Sequence, residues 1–388
     1  MRITKIECIP LTLKLRKQVL MSGGALSGAT CVLVKIHTDE GITGVADAGG
    51  TSEWYSGETQ ESIMALIRNY YSKALLGEDP FNIEKIMARL EKMAKNNNQS
   101  KAVIDYCLHD IVGKKLGVPV YKLLGGKCRD GAPLGYIIST GKPEETVAEA
   151  KTLVSEGYGM IKIKMGVHSD EEDIENVRIV RQAVGNKVKV MTDANGGWNY
   201  FQALNILKQL EKFSIDGAEQ PVPWWDIDGL ARLRRKTDVP IFPDESATEL
   251  SQVMEIIEKE AADGLFVKVA KAGGLLGATR WVSIAKAAGL PVMCGAMVGS
   301  GFESAANAHF LTANEWMGRI EQESIGSLHL YNIHETVKAN ITTDPAKKLP
   351  RYENGRIYAP EGPGLGLELN EEIIPQLISP GLAPISMQ

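Results

Sequence analysis

The stretch IKIK at 161–164 opens a series that continues with VKVMTD at 188–193, DGAE at 216–219, IFPD at 241–244, LFVK at 265–268, PVMC at 291–294 and GRIE at 318–321. Each is a short apolar run closed by a polar residue or a cysteine, and successive ends fall 24 to 29 residues apart. A turn and an amphipathic helical stretch fill each interval, so the period is that of a strand–helix unit. An earlier run at 134–139, followed by a helical pattern over 144–156, brings the number of units to eight. Eight such units fit the α/β class, as a closed (β/α)8 TIM barrel or its (β/α)7β variant with the active site where the strands end. A doubly wound open sheet shares the alternation and is the rival reading.

The pattern is different on either side of this repeat. Residues 2–15 are strand-like, and TCVLVKIH at 30–37 joins 43–48 through Asp39-Glu40-Gly41, a hairpin signal. Helical periodicity follows at 61–74, 83–94 and 101–116, so residues 1–127 are expected to form a separate α+β domain. The barrel is expected over 128–345. Beyond it RYENGRIYAPEGPGLGLEL at 351–369 is too rich in Gly and Pro for another unit, and 346–388 is expected to return to the first domain.

Composition narrows the function classes. Hydrophobic residues make up 44% of the 388 and charged residues 23%, a globular balance with enough apolar content for a large core. The net charge is -5 and the basic residues are scattered, which argues against a nucleic-acid partner. No stretch is apolar for the roughly 18 residues a membrane helix needs, and residues 1–10 lack a basic segment followed by an apolar run. A cytoplasmic protein without a membrane partner is expected. Cys8, Cys31, Cys107, Cys128 and Cys294 show neither CxxC nor zinc spacing and are read as reduced thiols.

Barrel strands turn alternate residues inward, so Lys162 and Lys164 share one side of their strand and Asp193 shares its side with Asn195. The strand ends then carry lysine, Asp193, Glu219, Asp244 and Lys268 in order. Three carboxylates at one mouth repel one another unless a cation sits among them. All-oxygen ligation suits Mg2+, or Mn2+, and the lack of His or Cys among these ends argues against zinc. Each acid alone could instead cap the next helix, and each lysine could simply reach into water. A lysine that abstracts a proton must be held well below its ordinary pKa of about 10.4, and a second lysine and a metal both act in that direction. Lys164, beside Lys162, is the base this points to, with Lys268 across the cavity to serve the opposite face of a planar intermediate.

Together these features resemble the enolase superfamily, in its muconate-lactonizing subgroup. The likeness rests on DYCLHDIVGKKLGVPVYKLLGG at 105–126, Lys162-x-Lys164, Asp193-Ala-Asn195, Glu219-Gln-Pro221, Asp244-Glu-Ser246, Lys268 with Gly273-Gly274, and PEGPGLGLEL at 360–369. The resemblance implies that the first domain caps the barrel, that Asp193, Glu219 and Asp244 bind Mg2+, and that Lys164 and Lys268 are the acid and base. It also implies that Lys162 helps hold a small carboxylate substrate, with Asn195 behind the metal ligands. Catalysis in such sites, by a Lys or His base with Mg2+ stabilising an enediolate, is a known pattern. No histidine stands at the seventh strand end, so a base of the mandelate-racemase type is absent. A homo-oligomer is the expected assembly.

The substrate is less legible. Lysines on both faces suit racemisation or epimerisation of an amino-acid derivative, such as a dipeptide, N-acyl amino acid or betaine. Muconate-type cycloisomerisation and succinylbenzoate synthesis use the same lysines, and a Schiff-base barrel is a more remote alternative. Glu321-x-Glu323 resembles the paired aspartates of dipeptide epimerases and is an expected contact for a substrate ammonium, with rim ion pairs as the alternative. Residues 22–28 read as a flexible lid, and 49–57 add Trp54 and Tyr55 as substrate contacts.

Overall fold

The computed structural model describes residues 1–22, 24–139, 141–329 and 343–388. The chain begins with an antiparallel sheet of β1 (Ile3–Met21), β2 (Gly24–Thr38) and β3 (Thr43–Ala46). Its first hairpin is longer than expected. Val19 pairs with Leu26, and Met21 with Gly24, so most of the segment read as a flexible lid is the arm of a hairpin. Gly23 lies outside the described residues. Helix α1 (Gln60–Leu66) runs on through a π turn at Ile67–Tyr71, and α2 (Ile83–Met93) and α3 (Asn98–Leu116) follow. α3 is buried at every position from Gln99 to Gly113, the pattern of a helix enclosed on all sides.

After β4 (Gly131–Pro133) the parallel strands begin: β5 (Gly135–Ile138), β6 (Met160–Lys164), β7 (Lys189–Asp193), β8 (Gly217–Glu219), β9 (Ile241–Phe242), β10 (Leu265–Lys268) and β11 (Val292–Gly295). Each of the last seven is followed by a helix: α4 (Pro143–Ser155), α5 (Asp170–Val184), α6 (Tyr200–Leu210), α7 (Ile227–Arg234), α8 (Leu250–Glu258), α9 (Leu275–Ala287) and α10 (Gly301–Ala313). Strands β5 to β9 pair in sequence order, and β10 pairs with β11. The Phe266 amide donates to Pro243 at 3.1 Å and connects the two sets. Closure comes from a parallel bridge between Leu134 and Gln322, with the Gly135 amide on the Gln322 carbonyl at 2.7 Å and the Glu323 amide on Cys294 at 2.8 Å. The sheet is thus a closed barrel, and the open-sheet alternative is excluded. Its eighth strand is short and leads into a 3-10 turn at Gly326–His329 rather than, within the described residues, another barrel helix.

Alternation decides what the barrel holds. In β6, Ile161 and Ile163 join the layer between strands and helices, while Met160, Lys162 and Lys164 point inward. Met160, Met191, Phe242, Phe266 and Met293 form a separate apolar plug inside the barrel. Gly295 makes room for it, since a Cβ there would stand 2.3 Å from the Phe266 ring. Two residues further along the inward faces come Asp193, Asp244 and Lys268, so the polar groups sit on this apolar floor.

The tail first extends the base of the barrel, with β12 (Arg351–Glu353) and β13 (Arg356–Tyr358) added to β4. It then crosses to the first domain, where the Leu365 amide bonds Asp110 at 2.8 Å and β14 (Ile385–Met387) pairs with β1. Four of the five cysteines are buried, Cys128 is exposed, and all are free. Among the described residues no helix is long and apolar enough to cross a membrane.

The two parts are joined tightly at the start of α9. Asp105 of α3 accepts the Leu275 amide at 2.7 Å, capping α9 from the other domain. Gly274 turns there at φ +110, and a Cβ would fall 2.5 Å from the Asp105 side chain. Gly274→Ala is therefore expected to destabilise the protein by about 2 kcal/mol or more, read as a fall of several degrees in melting temperature.

Candidate active site

The parallel register puts Lys164 opposite Asp193 and Asp193 opposite Glu219 on β6, β7 and β8. Asp244 lies two residues beyond Phe242, the partner of Glu219, and so faces the same way. Lys164 Nζ donates to Asp193 Oδ2 at 2.6 Å and to Asn195 Oδ1 at 2.9 Å. Lys162 Nζ lies 2.5 Å from Glu219 Oε2 and 3.5 Å from Asp193, and also pairs with Glu323. Across the barrel, Lys268 donates to Asp244 Oδ2 at 2.9 Å. The Tyr55 hydroxyl donates to Asp244 Oδ1 at 2.7 Å, and the Lys268 ammonium lies 4.0 Å from the centre of the Tyr55 ring. Trp54 packs edge-on against Tyr55 with ring centres 5.6 Å apart, and is half exposed at the rim.

Lys162, Lys164, Asp193, Asn195, Glu219, Lys268, Glu323, Trp54 and Tyr55 line one cavity between the hairpin, the first domain and the strand ends. Asp244 sits behind Lys268 and Tyr55, fully buried. Glu321 is not brought to this place. Gln322 enters the barrel at its base, so Glu321 lies below it, with Oε2 2.7 Å from Lys189 at the start of β7. The expectation of a substrate contact is corrected there to a rim ion pair. Glu323, two residues on, reaches the cavity.

The electrostatics show how closely these charges are packed. Burial, then Asp193, Glu323 and Asp244, push the Glu219 carboxyl well above the carboxylate range against the pull of Lys162. Asp193 is buried too, but Lys164 and Lys162 outweigh that and hold its carboxyl low. Asp244 is likewise held low against its burial by Lys268 and Lys271. Burial opposes the charge of Lys162, yet Glu219, Glu323 and Asp193 hold its ammonium well above the usual lysine value. Burial also opposes that of Lys268, and Asp244, Glu219 and Glu245 raise it.

A divalent cation fits this donor set. Asp193, Glu219 and Asp244 are all-oxygen donors on three neighbouring strands, each at most 2% exposed, and their negative charges already bear on Glu219. Each now faces a lysine, and among the described residues no three acids stand in ready-made ligand geometry. Beside them Glu245 Oε2 is buried without a hydrogen-bond partner, so the acidic side of the site has coordinating capacity that the protein itself does not use.

Three contributors were not singled out in the sequence. Lys271 Nζ lies 2.5 Å from Asp244 Oδ1 and donates to the Asp244 and Phe266 carbonyls at 2.8 and 3.0 Å, so it fixes the end of β9. Its signal was the spacing Lys268-x-x-Lys271, which places a second cation beside the same acid. Glu245 Oε1 accepts from Asn195 Nδ2 at 3.0 Å and orients the side chain whose Oδ1 accepts from Lys164. Gln220, at φ +35, accepts the amides of Asp244 and Ser246 at 2.9 and 3.0 Å and links the ends of β8 and β9.

Known proteins share this architecture. Residues 5–125 match the mandelate racemase / muconate lactonizing enzyme N-terminal domain, and residues 145–373 match the enolase C-terminal domain-like family. The N-succinyl-L-Arg/Lys racemase of Bacillus cereus is 34% identical over 385 residues, covering 97% of this chain and 98% of that one. Muconate cycloisomerase 1 of Acinetobacter baylyi is 33% identical over 354 residues, covering 90% and 92%. The crystal structure of a mandelate racemase/muconate lactonizing family protein from Azoarcus sp. EbN1 superposes with a TM-score of 0.94 at 46% identity, covering both chains completely. The chain belongs to the mandelate racemase/muconate lactonizing enzyme family of the enolase superfamily. It is an isomerase of that superfamily, of the racemase, epimerase or cycloisomerase kind.

Proposed function

We propose that the protein removes and returns the proton α to a carboxylate with the help of Mg2+, and that it is a racemase or epimerase of an amino-acid derivative, foremost an N-acyl amino acid. The observation that carries this reading is the placement of Lys164 and Lys268 on β6 and β10, four strands apart, lining one cavity. A planar intermediate between them exposes one face to each ammonium. Lys164 is held by Asp193 and Lys268 by Asp244; a charged ammonium on one face delivers a proton, and the lysine on the other face must be neutral to accept one. A divalent cation held by Asp193, Glu219 and Asp244 would supply positive charge to offset what builds up on the substrate carboxylate as the proton leaves. Lys162 adds a buried positive charge beneath the same place. The similarity to a racemase named for N-succinylated amino acids supports the N-acyl class.

The test is proton NMR in D2O with Mg2+ over N-acyl amino acids, dipeptides and betaines. Deuterium entering the α position together with inversion supports the reading; a lactone formed from a muconate, with no exchange in any amino-acid derivative, favours the cycloisomerase instead. Lys271→Met is expected to lower kcat/KM about ten- to a hundredfold and to raise the Mg2+ needed for half activity, since Asp244 loses its support. Steady-state kinetics against titrated Mg2+ reads both effects.

A further inference from the structure

The part of the cavity away from the charged groups is walled by three separate elements. Val19 and Met21 share one face of β1, and Leu26 is the cross-strand partner of Val19. Ile137 is the register partner of Lys162 and so points inward from β5. Met297 and Val298 come from the loop after β11, and all six side chains line the cavity. The hairpin is pinned rather than free: the Ser22 hydroxyl donates to the Ala194 carbonyl at 2.8 Å, and the Leu20 amide to Ser139 at 3.2 Å.

The loop after β11 is held from both sides. Gly50 of the first domain donates its amide to the Met297 carbonyl at 2.7 Å, while Glu303 accepts the amides of Met297 and Gly299 at 3.0 and 3.1 Å. Val298 sits between them at φ +57, a costly conformation for a β-branched residue and one that persists only where its surroundings enforce it. The fold thus spends strain on presenting an aliphatic wall. No acid occurs from Gln18 to Thr30, from Gly49 to Ser52 or from Gly295 to Gly301, and the carboxylates in the cavity face its lysines. These walls offer a cationic side chain no counter-charge, and burying one unpaired is costly.

Resting on the reaction assigned above, we infer that the substrate's own side chain is uncharged and apolar, of the leucine, methionine or phenylalanine kind, and seats against Val19, Met21, Leu26, Ile137, Met297 and Val298. The relative from Bacillus cereus, named for arginine and lysine derivatives, would then differ in this wall and not in its chemistry. The experiment measures α-deuterium exchange by the Mg2+-loaded enzyme with N-acetyl and N-succinyl forms of Leu, Met, Phe, Lys, Arg and Glu. Apolar members are expected to exceed the charged ones at least about tenfold in kcat/KM with either acyl group. Preference for Lys, Arg or Glu overturns the inference while leaving the reaction intact. Exchange with none of them sinks the reaction, and calorimetric binding to Lys164→Ala with Mg2+ then decides the wall: heat from apolar ligands alone sustains it, while heat from charged ligands, or none, ends it. Leu26→Glu is expected to shift the Lys-to-Leu ratio about tenfold or more towards Lys, and an unchanged ratio contradicts the assignment.

Discussion

Glu219→Gln is expected to lose at least about a thousandfold in kcat/KM, and chelation of the native enzyme is expected to do the same, reversed by added Mg2+. Glu219 is the middle of three acids on neighbouring strands, and the negative charges of Asp193 and Asp244 both press on it. The amide keeps the shape but removes one of the anionic donors a divalent cation needs, and it frees Lys162 from its 2.5 Å partner. A Mg2+ titration of the variant separates these causes. Recovery at high Mg2+ indicates weakened binding, whereas loss that no concentration restores indicates that Lys162 has moved. Full activity after chelation would remove the metal from the account.

The second large effect concerns the two lysines. Lys164→Ala and Lys268→Ala are each expected to lower racemisation by about a hundred- to ten-thousandfold, the usual range for loss of a proton-transfer group. The losses should differ in kind. With one lysine gone, the other still faces the α-carbon from its own side, so exchange with D2O persists for one enantiomer while inversion stops. Lys164→Ala and Lys268→Ala should then retain exchange with opposite enantiomers. Equal loss of exchange for both enantiomers in each variant would show that the lysines do not divide the faces. Borohydride trapping of either lysine on substrate would instead support a Schiff base.

The barrel was legible because its repeat is long and its strand ends carry polar residues at a steady period. The site was legible for the same reason: a strand end and a parity suffice to bring Lys164, Asp193 and Glu219 to one level, and the register confirms that level. The likeness to paired aspartates misled at Glu321-x-Glu323, because the height of the strand separates the two: Glu323 pairs with Lys162, and Glu321 with Lys189 at the start of β7. That height is set by the Leu134–Gln322 bridge at the base of the barrel, a contact across some 190 residues that no local pattern encodes. The hairpin over the cavity was missed in a different way. Ser22-Gly23-Gly24 looks like a loose loop by composition, but the pairing of Val19 with Leu26 depends on which residues lie opposite after a register shift between Lys14 and Val19. Lys271 escaped because a lysine early in a helix-entry turn is ordinary in isolation; only its closeness to Asp244 gives it meaning.

The most direct measurement is anomalous diffraction from crystals of the protein grown with Mn2+. One peak is expected within about 2.1 Å of carboxylate oxygens from Asp193, Glu219 and Asp244 together, with the ammonium groups of Lys164 and Lys268 on either side of the space above it. A peak bound by other residues, or none at saturating Mn2+ while the lysines stay paired to these acids, would contradict that expectation.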